Sequence, residues 1–132
     1  MASTPYHWYN QAQSESQIKV FENSDQYARD FIWVEDVART VYHFLNNYQE
    51  GIYDLGTGVA ESFEYVAEQC ASQLKVNKTY IPMPKDLEAQ YQKNTCASVD
   101  YLKSAGVDVD SFVKVKDGIE EYYKYLTLSQ IY

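Results

Sequence analysis

The chain has 132 residues, 45% of them hydrophobic, and a formal net charge of −8 at pH 7. That is enough for one domain with its own core, while the acidic balance argues against nucleic acid, whose phosphate backbone needs clustered lysine and arginine. No apolar run reaches membrane-spanning length, and Met1-Ala2-Ser3-Thr4-Pro5 lacks a signal peptide's basic head and apolar middle, so a cytoplasmic chain with no membrane partner is expected.

In chain order, Pro5 precedes a weakly patterned helix over 6–13. Ile18-Lys19-Val20-Phe21 alternates and predicts a strand, followed by the polar turn Glu22-Asn23-Ser24-Asp25. Phe31-Ile32-Trp33-Val34 predicts a second strand, being β-branched and aromatic. A helix over about 34–48 follows, with Val34, Val37, Val41, Phe44, Leu45 and Tyr48 at the spacing of one buried face, and Asp36 in its first turn. Ile52–Leu55 predicts a third strand, running into Gly56-Thr57-Gly58. Ser62 is placed to cap a helix whose inward residues are Phe63, Val66, Ala67, Cys70 and Leu74. Thr79–Pro82 predicts a short strand, Leu87–Tyr91 a helical turn, and Val99–Leu102 the start of a helix stopped by Gly106. A last helix over about 116–126 turns Ile119, Tyr122, Tyr123 and Leu126 inward. The pattern is mixed α/β, with too few strands for a complete parallel sheet and its crossover helices.

The aromatic load, 14 tyrosines, 5 phenylalanines and 2 tryptophans, suits half-buried faces and ligand walls, because tyrosine buries its ring while its hydroxyl stays hydrogen-bonded. Cys70 and Cys96 lie in no CxxC pattern and read as reduced side chains; His7 and His43 have no metal spacing. Gly56-Thr57-Gly58 raises the question of a phosphate loop. It lacks the third glycine of G-x-G-x-x-G and the lysine of a P-loop, and Glu61 beside the helix start would repel phosphate. A tight corner is the favoured reading. No nucleophile elbow is present, and Tyr48, Tyr91 and Tyr101 lack a lysine four residues on.

The runs "MAS" with His7 after it, "VFENS", "RDFIWVEDVA", "GIYDLGTGVAESF" and "YIPMP", in this order, resemble the C-terminal part of the ADP-L-glycero-D-manno-heptose 6-epimerases, which are extended short-chain dehydrogenase/reductases. The resemblance runs from Met1 to about Leu126, and "YDLGTG" departs from the family's usual asparagine before the leucine. It implies a mixed α+β, substrate-binding portion without the complete Rossmann domain, as a single unit over 1–132. The family's glycine-rich loop, catalytic Tyr-x-x-x-Lys pair and second catalytic lysine precede the matching region. No catalytic residue is therefore expected here; NADP belongs to the full-length family, and this chain alone should neither hold it nor epimerise. The family's substrate contacts fall on His7, on Phe21, Glu22, Asn23 and Ser24 around the nucleotide, on Arg29 at the diphosphate and on Tyr91 over the same region. Weak ADP-sugar binding, a homo-oligomer and a separate nucleotide-binding half as partner follow as expectations. Another nucleotide-sugar enzyme, or a non-catalytic assembly module, is the alternative.

Overall fold

The structure, a computed structural model, describes residues 3–130; Met1 and Ala2 of the "MAS" run lie outside the described residues. Helix α1 (Thr4–Glu15) extends slightly beyond the predicted bounds at both ends. Pro5 sits in its first turn, where its missing N–H costs nothing. Ser16, left-handed at φ 56°, closes the helix by donating its N–H to the Ala12 carbonyl. Strand β1 (Gln17–Phe21) alternates as its sequence predicts, with Ile18 and Val20 fully buried.

Further along come β2 (Ala28–Asp30), α2 (Val34–Asn46), β3 (Ala60–Ser62), α3 (Phe63–Leu74), β4 (Asn77–Ile81), α4 (Lys85–Gln90), β5 (Asn94–Thr95), α5 (Asp100–Ser104) and α6 (Val115–Ser129). Strand β1 pairs in parallel with β4, from Gln17 opposite Asn77 to Phe21 opposite Ile81. Against this pair, α1, α3 and α6 pack the main core through Trp8, Tyr9, Val66, Cys70, Ile119 and Tyr123. Ser62 caps α3 as expected, its Oγ accepting from the Tyr65 N–H at 3.0 Å. A second sheet has the order β3-β2-β5, with β2 antiparallel to β3 and parallel to β5. A smaller cluster of Leu102, Val107, Val109 and Phe112 gathers Phe44, Tyr53 and Leu55 around it.

Three expectations are corrected. Phe31–Val34 forms no strand: the strand is the preceding, more polar Ala28–Asp30, because that segment meets ladder partners on both sides. Ile52–Leu55 is irregular; Tyr53 and Leu55 pack on the smaller cluster while Ile52 is 94% exposed. Strand propensity without a neighbouring strand leaves backbone groups unpaired, and the described residues offer that segment none. Helix α2 forms as predicted, but only part of its expected face is covered: Phe44 packs on the smaller cluster and Val37 is half-buried, while the most buried positions are polar. Asp36 and Thr40 are buried, whereas Val34, Val41 and Leu45 are 67%, 54% and 76% exposed. The Asp36 carboxylate accounts for the buried polar positions: it accepts from the Val113 N–H at 2.8 Å and from Arg39 at 3.2 Å, tying α2 to the segment before α6.

Candidate functional site

Two of the hollows on the described surface bear on a site. The larger, about 390 Å³, runs between Phe31–Val34 and the start of α6 and is walled by Trp33, Val115, Ile119 and Tyr122. It offers little to orient a polar ligand. The smaller, about 120 Å³, is formed where α1, the end of β1, the following turn, the start of α3 and the segment after β4 converge. Trp8, Phe21, Tyr27, Phe63, Met83 and Tyr91 wall it, and Ser24 adds a hydroxyl. Its aromatic walls are fixed by one another: Tyr91 meets Tyr27 edge-on at 5.4 Å between ring centroids and Phe63 at 6.2 Å. Trp8 is held by donating its indole N–H to the Lys19 carbonyl at 2.9 Å.

Arg29 stands beside these walls. Its guanidinium carbon lies 4.7 Å from the Tyr91 ring centroid and 5.6 Å from that of Phe63. One nitrogen donates to the Ala28 carbonyl at 2.7 Å. Among the described residues no carboxylate forms an ion pair with it: Asp30, its sequence neighbour, is engaged elsewhere. A half-buried, stacked guanidinium with spare N–H groups is suited to a phosphate, which it can grip with two parallel hydrogen bonds.

Of the residues singled out from the sequence, Phe21, Ser24 and Tyr91 share the cavity wall and Arg29 flanks it. Glu22 and Asn23 lie exposed on the turn above, Glu22 donating its N–H to the Ile81 carbonyl at 2.8 Å and Asn23 left-handed at φ 66°. His7 is on the exposed side of α1, edge-on to Tyr6, and forms no part of the cavity wall. Trp8, Tyr27, Phe63 and Met83 were not singled out for the site. The general aromatic excess is the signal for Trp8, Tyr27 and Phe63, with Phe63 also carrying the periodicity of a core residue, and Met83 has only its place in the "YIPMP" run.

Beneath the turn lies a polar cluster. Ser24 donates to Glu64 Oε2 at 2.5 Å, Tyr80 donates to Glu64 Oε1 at 2.7 Å, Lys78 pairs with the same oxygen, and Lys78 also reaches Glu68 at 2.8 Å. Burial pushes the Glu64 carboxyl up, but the hydrogen bonds from Lys78, Ser24 and Tyr80 outweigh it and hold the group below its ordinary 4.5. Burial likewise lowers the Lys78 ammonium, and its two carboxylate partners more than reverse this.

The glycine turn proves to be an anion cradle that the protein fills itself. The Asp30 carboxylate accepts from the Thr57 N–H at 2.9 Å, the Gly58 N–H at 2.9 Å, the Thr57 hydroxyl at 2.6 Å and the Ala97 N–H at 3.2 Å. Gly58 reaches this arrangement at φ 75°. The donors with which such a turn could hold a phosphate are thus already satisfied by a carboxylate. Among the described residues no three His, Cys, Asp or Glu side chains converge to hold a metal, and no helix is long and apolar enough to cross a membrane.

No family model matches the chain. Among solved structures it is similar in fold to ADP-L-glycero-D-manno-heptose-6-epimerase of Helicobacter pylori, at 23% identity and a TM-score of 0.76 over 96% of this chain and 38% of that one. It is similar to UDP-N-acetylglucosamine 4-epimerase of Methanobrevibacter ruminantium, solved with UDP-N-acetylmuramic acid, at 16% identity and a TM-score of 0.78 over 98% of this chain and 40% of that one. A third is dTDP-4-dehydrorhamnose reductase of Bacillus anthracis, solved with NADP, at 12% identity and a TM-score of 0.70 over 95% of this chain and 44% of that one. The architecture is therefore that of a part of the extended short-chain dehydrogenase/reductase fold. The chain spans about two fifths of the length of the structures it matches.

Proposed function

We propose that these residues form the portion of a nucleotide-sugar epimerase that grips the ADP end of an ADP-heptose, in an enzyme that inverts the C6″ carbon for lipopolysaccharide core synthesis. The observation that carries the reading is Arg29, laid over Tyr91 and Phe63 beside an aromatic cavity, with no carboxylate within ion-pair distance of it among the described residues, Glu61 standing opposite it on β3. In this reading Arg29 binds the diphosphate, Phe21 and Ser24 wrap the nucleotide with Glu22 and Asn23 on the turn above, and Tyr91 closes over it. His7, on the exposed side of α1 and outside the cavity wall, contacts the substrate only where it extends beyond the cavity. The hydride chemistry and the NADP of such an enzyme are supplied by residues other than these, since the glycine turn is occupied by Asp30.

The test is ligand-observed NMR with ADP on the wild type, Arg29→Ala and Arg29→Lys. Half a pocket supports binding of about −4 kcal/mol, in the millimolar range. Losing one charged contact costs about 1.5–3 kcal/mol and removes the signal. Lysine keeps the charge but not the planar fork, so it rescues incompletely. Equal signals from all three remove Arg29 from the site, and no signal from the wild type refutes the reading.

A second reading, a non-catalytic module that completes a separate nucleotide-binding half or a second copy of this chain, is favoured by the exposed apolar stripe of α2. Its Val34, Val41 and Leu45 lie on the side away from the buried Asp36 and Thr40.

A further inference from the structure

We propose that Glu64 is a positioning residue of the site: its carboxylate holds the turn over 22–26, and so one wall of the aromatic cavity, in place. The inference rests on the reading of that cavity as the nucleotide-sugar site. The turn is tied at both ends of a left-handed residue, Asn23 at φ 66°, a conformation that asparagine tolerates better than most side chains. Glu22 is tied on one side by its N–H to the Ile81 carbonyl. On the other side the buried Ser24 hydroxyl, which lines the cavity, reaches Glu64.

Glu64 can hold it because of where the sequence puts it. It follows Phe63, another wall of the cavity, in the first turn of α3, and its second oxygen is fixed from β4 by Lys78 and Tyr80. One side chain thus joins the turn, the start of α3 and β4, the strand that pairs with the one carrying Phe21. The charged and titratable groups facing it are Lys78 and Tyr80 from β4, with Glu68 of its own helix sharing Lys78. A carboxylate accepts from three donors at once. An amide of the same shape has one acceptor oxygen and turns an NH₂ toward either Ser24 or Lys78. The lowered pKa of Glu64 agrees with this arrangement, since every donor around it favours the ionised form.

The experiment is ¹⁵N NMR of the 132-residue chain as wild type, Glu64→Gln and Ser24→Ala, with ADP as the probe. Ser24→Ala cuts the turn from Glu64 and leaves the Glu64–Lys78 pair intact, so it serves if Glu64→Gln fails to fold. At pH 7 both variants should shift the amides of Asn23, Ser24 and Asp25 and speed their hydrogen exchange, while the amides of Ile18 and Val66 in the core stay in place. As pH falls, the wild-type turn amides should show a step below pH 4.5, the ordinary carboxyl value, that is absent from Glu64→Gln, whose turn still carries the Glu22 and Asp25 carboxylates. ADP affinity should weaken about fivefold in Glu64→Gln, the factor one ordinary hydrogen bond is worth. Turn amides unmoved in both variants overturn the proposal, whatever ADP does. Turn amides that move in a chain that gives no ADP signal uphold the positioning of the turn and refute the nucleotide-sugar reading instead.

Discussion

Replacing Gly56 by alanine should be the most damaging single-methyl change in this chain. A Cβ there would lie 2.5 Å from the Ala97 Cβ and 2.5 Å from Asp30 Oδ2. Neither neighbour can retreat alone, because the Ala97 N–H donates to that same Asp30 oxygen, which also accepts from the Gly58 N–H. Relieving the clash therefore means pulling the carboxylate from its cradle. Overpacking of a tight site costs about 1–3 kcal/mol, and a hydrogen bond to a charged group is worth about 1.5–3 kcal/mol. With partial relaxation we expect a loss of about 3 kcal/mol, which lowers the melting temperature of a domain this size by about 10 °C. Thr57→Ala is the scale marker: it deletes the hydroxyl's bond to Asp30 and its bonds with the Val59 backbone without crowding the carboxylate, and should cost about half as much. Urea unfolding followed by tryptophan fluorescence and circular dichroism measures both. A Gly56→Ala variant within about 0.5 kcal/mol of the wild type, the range of ordinary surface changes, would refute the view that the glycine is there for the Asp30 carboxylate.

The two thiols should react in sequence. Cys70 is buried, which pushes its thiol up to about 12, so in the native chain at pH 8 a disulfide reagent should titrate one thiol, Cys96, and in denaturant two. The Cys96 reaction should itself quicken above pH 9, since desolvation and then the Asp30 carboxylate raise its pKa and keep the thiolate scarce below that, about 8.5–9 being usual for a free thiol. On α2, Val41→Glu with Leu45→Glu should leave the urea midpoint nearly unchanged, because both side chains are exposed. The same pair should suppress association of the wild-type chain in light scattering; a wild type that is monomeric at all concentrations removes the oligomer from the account.

What the sequence made legible was whatever a segment can specify by itself. Ser62 and the apolar spacing after it located α3 and its cap, and Ile18–Phe21 announced a strand with the right alternation. The failures all concern partners. The periodicity of α2 reported a face that avoids water but not which element covers it, and in the described residues Phe44 of that face is covered while Val34, Val41 and Leu45 stay open and Asp36 anchors the other side. Ile52–Leu55 had the composition of a strand without a ladder to join. At the site, Phe21, Ser24, Arg29 and Tyr91 were named through a family resemblance, whereas Trp8, Tyr27 and Phe63 are walls only because distant segments fold onto one another. The Asp30 cradle was invisible for the same reason: a carboxylate 27 residues away satisfies the turn, and no local pattern marks it.

The pairing of β1 with β4 bears on how this protein comes to be folded. Residues 17 and 77 must find each other across α2, two short strands and α3, and closing so long a loop is entropically unfavourable until the buried faces meet. Contacts within α3 or within α1 form early and cheaply; the parallel ladder should lie late on the folding coordinate. Trp8 and Phe21 arrive with one side of that ladder, Phe63 and Met83 with the other, so the cavity exists only after the slowest step. A ligand that enters it is then coupled to unfolding of the whole domain. It should slow the unfolding rate and protect the amides of Ile18 and Val20 to the same extent, leaving the folding rate unchanged.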